Sequence, residues 1–190
     1  MPTSDHNAAH YFIETHLEAG RGEAIAFIEA ASGKRISYGT LSANSSKVAG
    51  ALTKAGIKRE ERAAILMLDS IDYVEVFWGC LKAGVIAVPI NTLLAGAVYD
   101  TILSDSRASC LFVSAALLQV VKPVLAKNDH IRKVIVVGDH PLEDGFERYQ
   151  TFTKGAPKSV AVAVSPDETA FWLYSSGSTG QPKGVRHVHS

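Results

Sequence analysis

The residues best suited to chemistry lie close together near the end of the chain. The run Ser175-Ser176-Gly177-Ser178-Thr179-Gly180-Gln181-Pro182-Lys183-Gly184 carries three glycines, four hydroxyl side chains and one lysine. Glycine lets the backbone turn so that successive N–H groups converge on one point, and such a concavity binds anions even without side-chain charge. The hydroxyls of Ser175, Ser176, Ser178 and Thr179 add neutral donors there, and Lys183 adds a positive charge. Each hydrogen bond to a charged acceptor contributes about 1.5–3 kcal/mol, so several together hold a polyphosphate where one does not.

Spacing excludes two better-known phosphate loops. The Walker pattern needs glycine directly before the lysine, and Pro182 occupies that place. A dinucleotide fingerprint needs closer glycines than Gly177, Gly180 and Gly184 provide. A flexible Gly/Ser linker has similar composition. Here, however, Phe171-Trp172-Leu173-Tyr174 anchors one end of the run, and Val185 and Val188 anchor the other.

The elements that must position this loop follow an α/β rhythm of short apolar runs and amphipathic segments. Asn7 to Ala19 reads as a helix closed by Gly20, with Phe12, Ile13 and Leu17 as its buried stripe. Ala24–Glu29 and Lys34–Ser37 bracket Ala31-Ser32-Gly33 and predict a hairpin. Ser37 caps a helix running to about Ala55, stopped by Gly56, with Leu41, Val48 and Leu52 on its apolar face. Ala63–Leu68 reads as a strand covered on both faces. Asp69 or Ser70 caps the next helix, whose apolar stripe is Val74, Phe77, Trp78 and Leu81 and whose end is Gly84. The cycle continues with a strand at Val85–Val88, a helix near Gly96–Leu103 and a strand at Ser109–Val113. A helix near Ala115–Lys127 and a strand at Lys133–Val137 follow. Gly138 to Glu168 carries Pro141, Pro157 and Pro166 and reads mostly as loop, with a short helix and a brief strand at Ala161–Val164. Ala170–Tyr174 is then a strand leading into the phosphate loop.

Composition narrows the function classes. The 190 residues are 47% hydrophobic and 20% charged, as in ordinary globular chains. Lys plus Arg equals Asp plus Glu at 19 each, and the basic group Lys58, Arg59, Arg62 is balanced by Glu60 and Glu61, so nothing favours nucleic acid. Cys80 and Cys110 sit in apolar stretches without a CxxC or Cys/His pattern, which fits buried thiols in a reducing, cytoplasmic setting. No apolar run is long enough to span a bilayer, and Met1 to His10 lacks the apolar core of a signal peptide, so no membrane partner is expected. His187 and His189 lie two apart and share a face if extended, but no third ligand is near, so no metal site is assigned. Asp100, Asp105, Asp129 and Asp139 read as capping or solvated carboxylates, and Phe77 and Trp78 as core.

Tyr174 to Gly184, YSSGSTGQPKG, resembles the phosphate-binding signature of the adenylate-forming superfamily of acyl- and aryl-CoA synthetases, luciferases and peptide-synthetase adenylation domains. Ile36-Ser37-Tyr38-Gly39-Thr40-Leu41 and Leu81-Lys82-Ala83-Gly84-Val85-Ile86-Ala87-Val88-Pro89-Ile90-Asn91 resemble two upstream motifs that build the fold. Tyr11-Phe12, Asp69-Ser70, Asn91-Thr92-Leu93-Leu94, Phe171–Tyr174 and Val185–His189 are similar to the benzoate-CoA ligase branch.

The resemblance implies an α/β fold: the N-terminal part of the large domain of an adenylate-forming enzyme. Helices would alternate with mostly parallel strands, ending in a strand–phosphate loop–strand. Residues 1–6 would be a flexible tail, and 7–190 an incomplete large domain without the C-terminal domain. It implies ATP with Mg²⁺, coenzyme A and an aromatic carboxylic acid such as benzoate as reactants; it assigns no oligomeric state. Ser175, Ser176, Gly177, Ser178, Thr179, Gly180, Gln181, Pro182 and Lys183 would wrap the β- and γ-phosphates. Thr179 would lie nearest the departing pyrophosphate with Lys183 as its charge partner. Family members are much longer, so the adenine, metal and acyl contacts and the mobile domain would lie beyond Ser190, and this stretch alone is expected to be inactive. Its last strand would present an open edge. The competing readings are another adenylate-forming enzyme, such as a fatty-acyl-CoA synthetase or a peptide-synthetase adenylation domain, and a non-catalytic phosphate- or nucleotide-binding module.

Overall fold

The computed structural model describes residues 1–142, 144–176 and 181–190. Strands β1 (Ile25–Ile28) and β2 (Arg35–Ser37) form the expected antiparallel hairpin. The remaining strands are β3 (Arg62–Leu66), β4 (Ile86–Pro89), β5 (Cys110–Ser114), β6 (Lys133–Val137), β7 (Phe146–Arg148), β8 (Thr169–Ser176) and β9 (Pro182–Val188). Among the described residues they make a seven-stranded sheet in the order β7-β6-β5-β3-β4-β8-β9. Every pairing in it is parallel except β8 with β9.

The helices that cross over between strands are α2 (Tyr38–Lys54), α3 (Ile71–Lys82), α4 (Gly96–Ser106), α5 (Leu118–Leu125) and α6 (Tyr149–Thr153), with a short α1 (Thr15–Glu18) before them. Local chemistry sets their ends. Ser37 Oγ accepts the Thr40 N–H and Ser70 Oγ accepts the Tyr73 N–H, capping α2 and α3. Gly56 and Gly84 follow those helices with φ of 75° and 69°, a region in which glycine carries no Cβ penalty.

Strand order explains why two cores form. The chain steps from β3 to β4, then returns past β3 to reach β5, and right-handed crossovers in opposite directions lay their helices on opposite faces. Side chains alternate accordingly. Ala63 and Ile65 join Val48, Leu52, Val76 and Leu81 on the α2/α3 side, whereas Ala64 and Leu66 join Ile102, Leu103 and Val121 on the α4/α5 side. That two-sided burial is what the uninterrupted apolar run at 63–68 encodes.

Three details differ from expectation. His10–Glu14 is a π-helical turn, which rotates Phe12 outward to 55% exposure while Ile13 stays buried at 1%. The stretch read as loop contains β7, which extends the sheet beyond β6 through three residue pairs. Within 161–164, only Val164 forms a bridge, pairing with Thr3. Among the described residues no helix is long and apolar enough to cross a membrane.

Candidate phosphate-binding site

The sequence places the loop between two strands, and β8 and β9 form those strands as an antiparallel ribbon. Its upper rungs are Tyr174↔Gly184, Ser175↔Lys183 and Ser176↔Pro182. The ladder therefore ends at Ser176 and Pro182. Directly opposite residues in an antiparallel pair share a face, so Ser175 and Lys183 stand side by side. Both are exposed, as is Gln181. Among the described residues, Lys183 Nζ has no hydrogen-bond or ion-pair partner, which leaves its charge available to an anion. Gly177, Ser178, Thr179 and Gly180 lie outside the described residues.

The loop base sits at the carboxyl edge of the parallel strands, where open α/β sheets bind ligands. A hollow of about 340 Å³ flanks it, lined by Asn91, Leu94, Val98, Tyr174, Ser175 and Pro182. Asn91 Oδ1 accepts the Leu93 N–H at 2.9 Å, turning the chain between β4 and α4 at this edge.

Tyr174 closes the neck from the α4 side. Its hydroxyl donates to Asp105 Oδ2 at 2.5 Å, and burial followed by the Asp105 carboxylate holds the phenol well above its ordinary range. Asp105 is thus a partner for the neck and not simply a solvated carboxylate. The two histidines after the loop make separate contacts. His187 stacks on Phe171 with centroids 4.5 Å apart and planes 3° from parallel. His189, beyond the end of β9, accepts the Ala8 N–H on Nδ1 at 3.1 Å.

Sequence reasoning missed the Tyr174–Asp105 bond and the histidine contacts. The one local signal was a carboxylate in the last turn of a helix, an electrostatically unfavourable place that invites a donor from elsewhere.

The wider likeness agrees with this geometry. A family model described as AMP-binding enzyme matches residues 14–190. The chain is 37% identical over 190 residues to the 4-hydroxybenzoate–CoA/benzoate–CoA ligase of Rhodopseudomonas palustris, covering 100% of this chain and 35% of that protein. It is also 37% identical over 186 residues to the benzoate–CoA ligase of Thauera aromatica, covering 97% and 34%. Among solved structures, the anthranilate CoA ligase AuaEII in complex with anthranoyl-AMP superimposes with a TM-score of 0.89 at 30% identity, covering 96% of this chain and 35% of that one. The chain therefore spans about a third of the length of the relatives it matches. A match across nearly the whole sequence, joined to a strand–loop–strand that presents Ser175 beside Lys183, settles the family: the chain belongs to the AMP-binding enzymes.

Proposed function

We propose that this chain supplies the phosphate-gripping part of an ATP-dependent acid:CoA ligase that acts on an aromatic acid such as benzoate. In the first step the carboxylate attacks the α-phosphorus of ATP, the bond to the β-phosphate oxygen breaks, and an acyl-adenylate and pyrophosphate form. In the second, the thiol of coenzyme A displaces AMP and yields the acyl-CoA. Both steps call for stabilised negative charge on the leaving group more than for a strong base.

The observation that carries the reading is the placement of Lys183 opposite Ser175 on a ribbon that opens at Ser176 and Pro182. Ser175, Ser176, Gly177, Ser178, Thr179, Gly180, Gln181, Pro182 and Lys183 wrap the β- and γ-phosphates, with Thr179 and Lys183 nearest the departing pyrophosphate. Exposed Ser175 and an unpaired ammonium on Lys183 suit a triphosphate carrying Mg²⁺, whose charge the ion partly neutralises. Residues 7–190 form the N-terminal portion of the large domain, and the acyl, adenine and CoA contacts come from parts of the relatives' length that this chain does not cover.

Calorimetric titration with MgATP tests the reading. Binding that Lys183→Ala weakens about tenfold or more is expected, on the strength of a charged hydrogen bond; equal binding by the variant overturns it. In a complete ligase carrying this segment, Thr179→Ala should slow benzoate-dependent ATP–pyrophosphate exchange about 10²-fold. The chain alone should release no pyrophosphate above blank.

A further inference from the structure

We propose that Tyr174 is the positioning residue of the phosphate loop, clasping the ribbon beneath it so that Lys183 and Ser175 keep to one face. The proposal rests on the function proposed above for the loop, and it concerns how the described strands hold the loop's two arms.

Tyr174 and Gly184 are opposite one another, one rung below the Ser175↔Lys183 pair. A Cβ added to Gly184 would lie 3.1 Å from Tyr174 Cζ and 3.3 Å from its hydroxyl oxygen. A side chain at 184 would therefore have to push the phenol ring aside by a few tenths of an ångström, against its bond to Asp105. Gly184 does not have a left-handed φ, so closeness of approach, not backbone angle, is what requires glycine here. The same ring is tied at its tip to Asp105 in the last turn of α4. One side chain thus links three pieces: the outgoing arm β8, the returning arm β9 through its glycine, and the helix that packs on this side of the sheet.

Such a link matters because, among the described residues, β9 is held by a strand on one side only. It is the last strand of the sheet and mostly exposed, so its position depends on β8 and on the α4 side. Side chains alternate along a strand, and a slip of one residue would carry Lys183 to the face opposite Ser175. In a slipped register the residue facing Tyr174 would be Lys183 or Val185, and both carry a Cβ that would crowd the ring. The ring and the glycine together favour the native register, and Asp105 keeps the ring in place.

The test uses two readouts on the 190-residue chain. The first is MgATP affinity for the parent, Tyr174→Phe, Tyr174→Ala, Asp105→Ala and Lys183→Ala. The second is oxidative cross-linking of Leu173→Cys/Val185→Cys, a pair that is opposite only in the native register. Tyr174→Phe and Asp105→Ala should each weaken MgATP about fivefold, with the double variant no weaker than either alone because they share one hydrogen bond. Tyr174→Ala should weaken it further and slow the cross-link, and Gly184→Ala should also slow the cross-link while circular dichroism stays native. General destabilisation would lower the melting temperature without changing which cysteines meet. If Lys183→Ala binds MgATP like the parent, the functional reading fails while the cross-link still judges the clasp. If Lys183→Ala is weakened but the Tyr174 and Asp105 variants bind and cross-link like the parent, the clasp is refuted.

Discussion

The backbone N–H of Ala8 donates to Nδ1 of His189 at 3.1 Å, joining residues 181 positions apart. The contact fastens the start of the N-terminal helical segment to the chain just past β9, the returning arm of the phosphate loop. Asn7 reinforces it, since its Nδ2 donates to the carbonyls of Leu81 at 2.9 Å and Val162 at 3.1 Å.

A nitrogen that accepts an N–H cannot carry a proton, so this joint is pH-sensitive. Burial pushes His189 below its ordinary 6.5; Glu168 opposes the shift and Arg59 adds to it. The unfolded chain then takes up the proton first as pH falls, so the stabilisation is complete above pH 6.5 and is lost below it as the folded pKa is approached. The melting temperature should fall on acidification through that window, and the Ala8 amide should lose protection relative to its intrinsic exchange rate at each pH. His189→Gln should remove that part of the slope; an unaltered slope in the variant would disprove the assignment.

Lys82 makes a second long-range joint. At 1% exposure, its Nζ donates to Ser42 O at 3.0 Å and to Ser46 Oγ at 3.0 Å, and it is paired with Glu14. Removing one partner of a buried pair strands the rest, so Lys82→Met should destabilise the chain by about 3 kcal/mol in urea unfolding. Adding Glu14→Gln should recover part of that loss. A single-variant effect under about 1 kcal/mol would count against a buried pair.

Glu75 titrates in the opposite sense to His189. Its carboxylate accepts from Asn44 Nδ2 at 2.7 Å and Tyr149 OH at 2.9 Å, yet burial still raises its pKa above 4.5. The folded state holds this proton more tightly than the unfolded chain, so its stabilisation is full below pH 4.5 and declines as pH rises through the folded value. Glu75→Gln should therefore match or exceed the parent at neutral pH and flatten that slope. Glu75→Leu, which leaves both donors without an acceptor, should cost about 2 kcal/mol. Equal stability of the two variants at pH 7 would refute this account.

Gly79 allows α2 and α3 to touch. A Cβ there would fall 2.5 Å from Val48 Cβ and 2.9 Å from the Ser45 carbonyl oxygen. Gly79→Ala is expected to destabilise by about 1–3 kcal/mol despite its better helix propensity, and Val48→Ala in the same chain should relieve part of that. A stabilised Gly79→Ala variant would mean the helices separate freely.

The outer strand β9 exposes Val185 and Val188 at 49% and 41%, beside Leu173 at 41%. A strand at the end of a sheet, with its outer edge unpaired among the described residues, is a template for pairing with another copy. Light scattering should show concentration-dependent self-association that Val185→Lys reduces. Scattering that is independent of concentration for the parent would remove the edge as its cause.

Much of the architecture is legible in local pattern. The continuous apolar run at 63–68 marks a strand that must be covered twice, while serines at 37 and 70 and glycines at 56 and 84 punctuate the helices. β7 escapes such reading because three half-buried residues at a sheet edge carry no periodic signal. Phe12 is misplaced by a helical stripe because a π turn contains an additional residue and so rotates the face.

What the sequence determined by itself is what depends on neighbours along the chain: the alternation of helix and strand, their caps and stops, and a loop whose glycines, hydroxyls and lysine suit a polyphosphate. Only the tertiary structure decided strand order, the opposition of Ser175 and Lys183, the bond from Tyr174 to Asp105 and the burial of Lys82 beside Glu14. The reason is physical. Backbone angles and hydrophobic period are set within a few residues, whereas a partner 69 or 181 positions away is chosen by the packing of the whole sheet.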